Sequence, residues 1–199
     1  MIQTTRSYSS DEALNVLMDG NRRFIEGNLL HPNHCDESRQ EAAAGQTPFA
    51  TVLTCADSRV PPVDIFDQGI GDIFVVRVAG NIIGDHTLGS IEYAVAHLNT
   101  PLIVVLGHSS CGAVGAVARD VKLDGHMSTL VPPIQAAIKK VKNLDGNMVN
   151  NAAKELSKQM AERIASSEPI IADEVNDGHV KVVPAYYNLS SGEVIILET

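Results

Sequence analysis

The sequence predicts an α/β protein with a mostly parallel central sheet, helices on both faces, an antiparallel edge strand at the C-terminal end and an N-terminal helical arm. Short β-prone runs alternate with longer segments of helical periodicity, which is the pattern of an α/β sheet. The β-prone runs show little polar–apolar alternation, as expected of strands that are covered on both faces. A chain of 199 residues can bury the core of one ordinary domain, so we expect residues 1–199 to form a single domain.

Residues 1–45 are predicted to form the helical arm. Serines followed by acidic residues open its first helix, a composition typical of a helix N-terminus. The apolar residues that follow at helical spacing are Leu14, Leu17, Phe24 and Ile25. A second, shorter helix is expected near Glu37 to Ala44, because Gly45 ends it.

Residues 46–199 are predicted to form the α/β core. The β-prone runs are 49–54, 72–78 and 101–107. The helical stretches are Thr87 to Leu98, Gly112 to Arg119, Ile134 to Val141 and Ala153 to Ile164. Near the C-terminus, two further β-prone runs flank a Ser-Ser-Gly turn, which predicts an antiparallel hairpin.

Composition and charge exclude several classes of partner. The formal net charge is −9, so we expect neither nucleic acid nor an anionic membrane surface as a partner, since both need a basic face. No segment has the apolar length of a signal peptide or a membrane span, so cytoplasmic location is expected. Three cysteines without a sign of secretion favour metal binding or catalysis over disulfide bonds.

Two motifs are predicted to meet at one edge of the sheet. Cys55 directly follows the first β-prone run, and His108 directly follows the third. Functional groups of open parallel sheets gather beyond the carboxyl ends of the strands, so Cys55 and His108 lie together if these strands are neighbours. The H-x-x-C spacing adds Cys111 at the start of the helix that begins near Gly112, where a helix N-terminus favours the thiolate.

Two thiolates and one imidazole form a ligand set for Zn²⁺, and three protein ligands leave a fourth coordination position open. The long stretch between Cys55 and His108 is unlike a zinc finger and suits a catalytic site. The alternative is that these cysteines are small buried apolar residues. Cys35 has no partner motif and is interpreted as a spare surface thiol, and His86 as a solvated residue or a proton relay.

Asp57 and Arg59 follow Cys55 at alternate positions. The guanidinium of Arg59 can hold the Asp57 carboxylate in a bidentate pair, which keeps it ionised and aimed at a water molecule in the site. The alternatives are that Asp57 is a fourth metal ligand or that the two residues form a plain structural ion pair.

These motifs carry a family resemblance. The paired C-x-D-x-R and H-x-x-C motifs, together with the segment FDQGIGDIFVVRVAGN between them, resemble the β-class carbonic anhydrases and among them the plant-like subgroup. The resemblance runs from about Gln46 to Ala116, with weaker similarity outside it. It implies Zn²⁺ bound by Cys55, His108 and Cys111, and a catalytic pair of Asp57 and Arg59.

The resemblance also implies the substrate-binding groups. Gln46 and the backbone N–H of Gly112 would donate hydrogen bonds to a substrate oxygen, and Phe74 and Tyr93 would line an apolar pocket. Val52 stands where the subgroup with an allosteric bicarbonate site carries tryptophan, so an open site without that switch is expected. Two positions depart from the family: Ala79 replaces a pocket valine, and Val63 replaces a common glutamate.

The implied activity is the zinc-dependent reversible hydration of CO2 to bicarbonate and a proton. Two thiolate ligands acidify a water molecule less than three imidazoles do, so activity should rise at alkaline pH. The alternatives are hydrolysis of carbonyl sulfide or carbon disulfide on the same scaffold, and a non-catalytic zinc-binding protein. The resemblance also implies a homodimer or a dimer of dimers, with the N-terminal helices lying across the neighbouring subunit.

Overall fold

A computed structural model describes residues 8–198, which contain five β-strands and eight α-helices. The strands are β1 (Ala50–Thr54), β2 (Ile73–Arg77), β3 (Leu102–His108), β4 (Lys181–Tyr187) and β5 (Val194–Ile196). The helices are α1 (Ser10–Glu26), α2 (Asp36–Ala43), α3 (Pro62–Ile65), α4 (Asp85–Leu98), α5 (Gly112–Ala118), α6 (Val131–Val141), α7 (Met148–Ala165) and α8 (Ile170–Asn176). Two short 3₁₀ turns span Ala79–Asn81 and Gly125–Leu130.

The strands form one sheet in the order β2-β1-β3-β4-β5. The pairings of β1 with β2, of β1 with β3 and of β3 with β4 are parallel, and β5 pairs antiparallel with β4. The predicted α/β class, the C-terminal hairpin and the antiparallel edge strand are therefore confirmed. β1 and β3 are direct neighbours, the condition on which the predicted meeting of the two motifs depends.

Helices cover both faces of the sheet, as predicted. Leu53 and Val105 point to a core built with α4, α5, α6, α7 and α8. Val52 and Val104 point to a second core, on the opposite face, that includes residues of α1 and α3. Because side chains alternate along a strand, the consecutive apolar residues of β1 and β3 serve both cores, which explains their lack of polar alternation.

The structure departs from the sequence prediction in three places. β2 lies at an edge of the sheet, and its second residue, Phe74, is only partly buried, so this strand is not covered on both faces. Ile25 is 47% exposed, because the buried face of α1 runs through Leu17 and Asn21 instead. The helices α3 and α8 were not predicted; α3 has only four residues, which are too few to show a helical period. None of the helices within residues 8–198 is long and apolar enough to cross a membrane.

A buried carboxylate ties the N-terminal helix to the core. The Oδ2 atom of Asp67 accepts from Arg23 Nε at 2.6 Å and from the Leu30 N–H at 3.0 Å, and Oδ1 accepts from the His31 N–H at 3.0 Å. Burial alone would raise the pKa of Asp67, but the donors from Leu30 and Arg23 outweigh it, and the pKa lies below its usual value. The carboxylate therefore fixes the chain where it leaves α1.

We expect Asp67→Asn to lower the free energy of unfolding by about 2–3 kcal/mol, since each hydrogen bond to a charged group is worth about 1.5–3 kcal/mol. Urea unfolding measures this change. Because the folded pKa is depressed, the difference between wild type and variant should be full above about pH 4 and shrink as the pH falls through the folded pKa. Asp19→Asn removes an exposed charge of α1 that pairs with Arg22 at the surface, and should leave stability nearly unchanged. Equal stability of the two variants would contradict the proposed anchor.

Candidate metal centre

The neighbouring strands β1 and β3 bring both motifs to the same edge of the sheet. Thr54 pairs with Leu106, so Cys55 follows β1 beside the end of β3, whose last residue is His108. Cys111 is the N-cap residue of α5. The Sγ atoms of Cys55 and Cys111 and a ring nitrogen of His108 lie within 4.8 Å of one another, and all three residues are buried. The predicted cluster is present.

The ring of His108 is oriented as a metal ligand requires. Its Nδ1 lies 2.9 Å from the Ser109 carbonyl oxygen, which can only accept, so Nδ1 carries the proton and Nε2 carries the lone pair. Among the described residues, Nε2 of His108 is the buried side-chain nitrogen or oxygen that lacks a hydrogen-bond partner. A buried polar atom without a partner is costly unless another group binds it. A lone pair and two thiols directed to one point fit a zinc ion.

The two buried thiols lie close together. The neighbouring Cys111 side chain lowers the pKa of Cys55, against the effect of burial, and His108 and the Gly80 N–H lower it further. The neighbouring Cys55 side chain, together with burial, raises the pKa of Cys111. The N–H groups of Val114 and Ala113 in α5 lower the pKa of Cys111, as a helix N-terminus does, but without a metal the neighbouring Cys55 side chain and burial act against them. A divalent cation would stabilise both thiolates.

Asp57 and Arg59 form a close pair at the rim of this cluster. Arg59 Nε donates to Asp57 Oδ1 at 2.9 Å, and Arg59 Nη2 donates to Oδ2 at 2.8 Å, while the Arg59 N–H also donates to Oδ1 at 3.0 Å. These bonds hold the pKa of Asp57 well below its usual range. Oδ2 lies 4.0 Å from His108 Nε2, so an ionised carboxylate borders the ligand cluster.

Two further residues hold the Cys55 loop, and the sequence prediction missed both. Arg77, the last residue of β2, donates from Nε to the Cys55 carbonyl at 3.1 Å and from Nη2 to the Asp57 carbonyl. The Gly80 N–H donates to Cys55 Sγ at 3.3 Å, and Gly80 has a φ of 72°, a backbone conformation that favours glycine. The sequence did contain one indication of this role for Arg77. It lies near the carboxyl end of a β-prone run, as Cys55 and His108 do, and the carboxyl ends of parallel strands meet at one edge of the sheet.

The predicted substrate groups lie in two separate places within one chain. Gly112 is the first residue of α5, directly after Cys111. Phe74, by contrast, pairs with Thr51, four positions before Cys55, which is about 13 Å along a strand that rises about 3.3 Å per residue. The Tyr93 ring lies 6.3 Å from that of Phe74 and Tyr93 is 49% exposed. Gln46 is exposed and precedes β1, at the opposite end of that strand from Cys55.

Two other residues singled out in the sequence lie outside the cluster. Cys35 is an exposed free cysteine at the start of α2, and its Sγ lies 3.2 Å from Ser38 Oγ. His86 is exposed in the first turn of α4, where its carbonyl accepts from the Ser90 hydroxyl. Neither has a contact with the three ligand residues among the described hydrogen bonds.

Comparison with known proteins identifies the family. A family model described as carbonic anhydrase matches residues 50–194. The chain is 37% identical over 188 residues to carbonic anhydrase 2 of Mycobacterium tuberculosis, covering 92% of this chain and 91% of that protein. It is also 56% identical over 104 residues to a carbonic anhydrase of Mycolicibacterium smegmatis, covering 52% of this chain and 50% of that protein.

Solved structures share the fold over nearly the whole chain. A tetrameric β-carbonic anhydrase of Sordaria macrospora superposes with a TM-score of 0.75 at 24% identity, covering 94% of this chain and 97% of the other. The Coccomyxa β-carbonic anhydrase in complex with acetazolamide superposes with a TM-score of 0.71 at 25% identity, covering 92% and 86%. Since the family model spans more than half of the sequence and the sheet order, the ligand cluster and these relatives agree, the chain belongs to the β-carbonic anhydrase family.

Proposed function

We propose that this protein catalyses the zinc-dependent reversible hydration of CO2 to bicarbonate and a proton. The observation that carries the proposal is the cluster of Cys55, His108 and Cys111 beside the Asp57–Arg59 pair. A structural zinc site needs no oriented carboxylate at its edge, whereas a hydration site does. The relatives named carbonic anhydrase support the same activity.

We assign Cys55, His108 and Cys111 as the zinc ligands. Zinc bound by these three residues would supply Lewis acidity, which would make a water molecule a nucleophile, and it would do so at alkaline rather than neutral pH because two of the ligands are thiolates. Asp57 accepts a hydrogen bond from this water and fixes the direction of its lone pair. Arg59 keeps Asp57 ionised and stationary, because both carboxylate oxygens are held by the guanidinium.

The substrate groups are proposed to come from two subunits. The N–H of Gly112 lies in the first turn of α5, where helix N–H groups lack intrahelical partners, and can donate to the oxygen on which negative charge develops. Gln46, Phe74 and Tyr93 lie too far along the sheet from their own Cys55 to share this role within one chain. We propose that they complete the site of a second copy, in a homodimer or a dimer of dimers. The tetrameric relative from Sordaria macrospora is consistent with this assembly.

Stopped-flow CO2 hydration by the zinc-loaded protein tests the proposal, with zinc content and molecular mass measured on the same preparation. We expect one zinc per chain, activity that rises toward alkaline pH, and an oligomer. If the zinc-loaded protein hydrolyses carbonyl sulfide or carbon disulfide but does not hydrate CO2, its substrate is one of those gases and not CO2. Full zinc occupancy without activity on any of these gases would show a non-catalytic zinc protein.

Arg77 provides a separate test of how the Cys55 loop is held. We expect Arg77→Met to reduce the turnover number for CO2 hydration by about tenfold to a hundredfold, because catalysis is lost when reacting groups shift by about 1 Å. The variant keeps the length of the side chain but loses both donors to the carbonyls of Cys55 and Asp57. Arg22→Met, in an exposed ion pair of α1, is the matched control and should be fully active. Wild-type turnover by Arg77→Met would contradict this role.

Three predictions remain part of this proposal. The plant-like subgroup, with an open site and no bicarbonate switch, is supported by the pairing of Asp57 with Arg59. A single domain with residues 1–45 as an arm is consistent with the anchoring of α1 through Asp67. Cytoplasmic location and the absence of nucleic-acid and membrane partners rest on composition alone.

A further inference from the structure

Asn150, 40 positions after Ser110, contacts the turn between the two ligands of the H-x-x-C motif. The Oδ1 atom of Asn150, in the first turn of α7, accepts from the Ser110 N–H at 3.0 Å. The other end of the same peptide group is the Ser109 carbonyl, which accepts from His108 Nδ1 at 2.9 Å. One peptide group is therefore held by Asn150 on its N–H side and holds the His108 ring on its C=O side.

This peptide group has a reason to rotate if it is not held. Ser110 has a φ of 53°, in the left-handed region that a serine residue adopts only at a cost. Rotation of the Ser109–Ser110 peptide would bring Ser110 back to negative φ, and would turn the Ser109 carbonyl away from His108. The hydrogen bond from the Ser109 N–H to the Tyr187 carbonyl, at 2.9 Å, does not prevent this rotation. That N–H belongs to the preceding peptide group, between His108 and Ser109, which does not rotate.

We infer that Asn150 is a positioning residue of the metal centre, which holds the Ser109–Ser110 peptide so that its carbonyl fixes the orientation of His108 Nε2 toward the metal. This inference rests on the proposed zinc site. Groups that accept a hydrogen bond from the second ring nitrogen of a metal-ligating histidine are worth about 10- to 100-fold in metal affinity. Here that group is the Ser109 carbonyl, and Asn150 acts on it indirectly, by holding the same peptide group.

The test is zinc affinity, measured by competition with a chromophoric chelator. We expect Asn150→Ala to weaken zinc binding by about tenfold, the lower end of the range for such partners. Asn150→Asp keeps an acceptor oxygen for the Ser110 N–H. It should bind zinc within about threefold of wild type, because it retains the hydrogen bond that holds the Ser109–Ser110 peptide. Thermal unfolding of each metal-free variant confirms that it folds.

Asn147→Ala is the matched control. Asn147 is the N-cap residue of α7 and accepts from the Asn150 N–H at 3.0 Å, so its loss weakens the start of the same helix without removing the bond to Ser110. We expect this variant to unfold at a lower temperature and to keep wild-type zinc affinity. A loss of zinc affinity in Asn147→Ala equal to that in Asn150→Ala would overturn the inference in favour of a purely structural role.

Ser110→Gly tests the orientation of the peptide itself. Glycine adopts positive φ without strain. In Ser110→Gly, the orientation of the Ser109–Ser110 peptide seen in the structure therefore needs less support from the Asn150 hydrogen bond. We expect Asn150→Ala to weaken zinc binding less in the Ser110→Gly background than in wild type, and an equal or larger loss would overturn the inference. If wild type binds zinc and Asn150→Ala binds it equally well, only this inference fails; if wild type binds no zinc, the proposed function fails with it.

Discussion

Asp57→Asn is expected to slow CO2 hydration by about 10²- to 10⁴-fold, the range that positioned proton-accepting groups contribute, while the protein keeps its zinc. Both oxygens of the carboxylate accept from Arg59, and Oδ2 lies 4.0 Å from His108 Nε2. The asparagine side chain has one acceptor oxygen. Its amide nitrogen would face either a guanidinium donor or the water that Asp57 orients, so one of the two interactions is lost in either rotamer.

Stopped-flow hydration and zinc analysis on the same samples measure this effect. Asp64→Asn is the control, because it makes the same change of charge at an exposed position of α3, and it should retain wild-type activity and zinc. Full activity of zinc-loaded Asp57→Asn would show that Asp57 has no catalytic role. Loss of zinc together with activity would show instead that the carboxylate belongs to the metal-binding set.

The same variant separates two sources of pH dependence. The Arg59 guanidinium holds the pKa of Asp57 well below its usual range, so the carboxylate is ionised throughout the range from mildly acidic to alkaline pH. A rise in activity over that range must therefore report another group. We expect the residual activity of Asp57→Asn to follow the same pH profile as wild type at a lower level, and a flattened profile would contradict this assignment.

The central part of the site could be predicted from local sequence because it depends on strand ends. Cys55 follows a β-prone run, His108 ends another, and parallel neighbours present their carboxyl ends at one edge of the sheet. The pair of Asp57 and Arg59 is also local, since a single residue separates them. Such features follow from the period and polarity of a few adjacent residues, which a single sequence displays directly.

The supporting contacts could not be predicted because they depend on registers and helix placements between distant segments. Arg77 reaches the Cys55 loop only because β2 pairs with β1 in one particular register. Asn150 meets Ser110 only because α7 packs against β3 and β4. The separation of Phe74 from Cys55 has the same origin: the resemblance implies a shared pocket, but the register of β2 on β1 places Phe74 farther along the sheet.

Cys111→Ser is expected to weaken zinc binding by more than about a hundredfold, because a ligand must contribute more than the outer-shell partners that are worth about 10- to 100-fold. The side chain is 2% exposed, and serine preserves nearly all of its volume. A hydroxyl does not ionise near neutral pH, so only Cys55 and His108 would remain to hold the metal. Zinc content after dialysis against a chelator measures the loss.

The chain supplies its own control for this experiment, and the comparison decides between a metal site and buried apolar cysteines. Cys35→Ser alters an exposed thiol, and should retain zinc at the wild-type level. A ligand that binds only the folded protein raises its unfolding temperature, so added zinc should stabilise metal-free wild type and Cys35→Ser but not Cys111→Ser. If Cys111 were only a packed apolar residue, Cys111→Ser would lower the unfolding temperature with and without zinc by the same amount, and the zinc-dependent increase would survive. That increase therefore isolates coordination by the Cys111 sulfur from its contribution to packing.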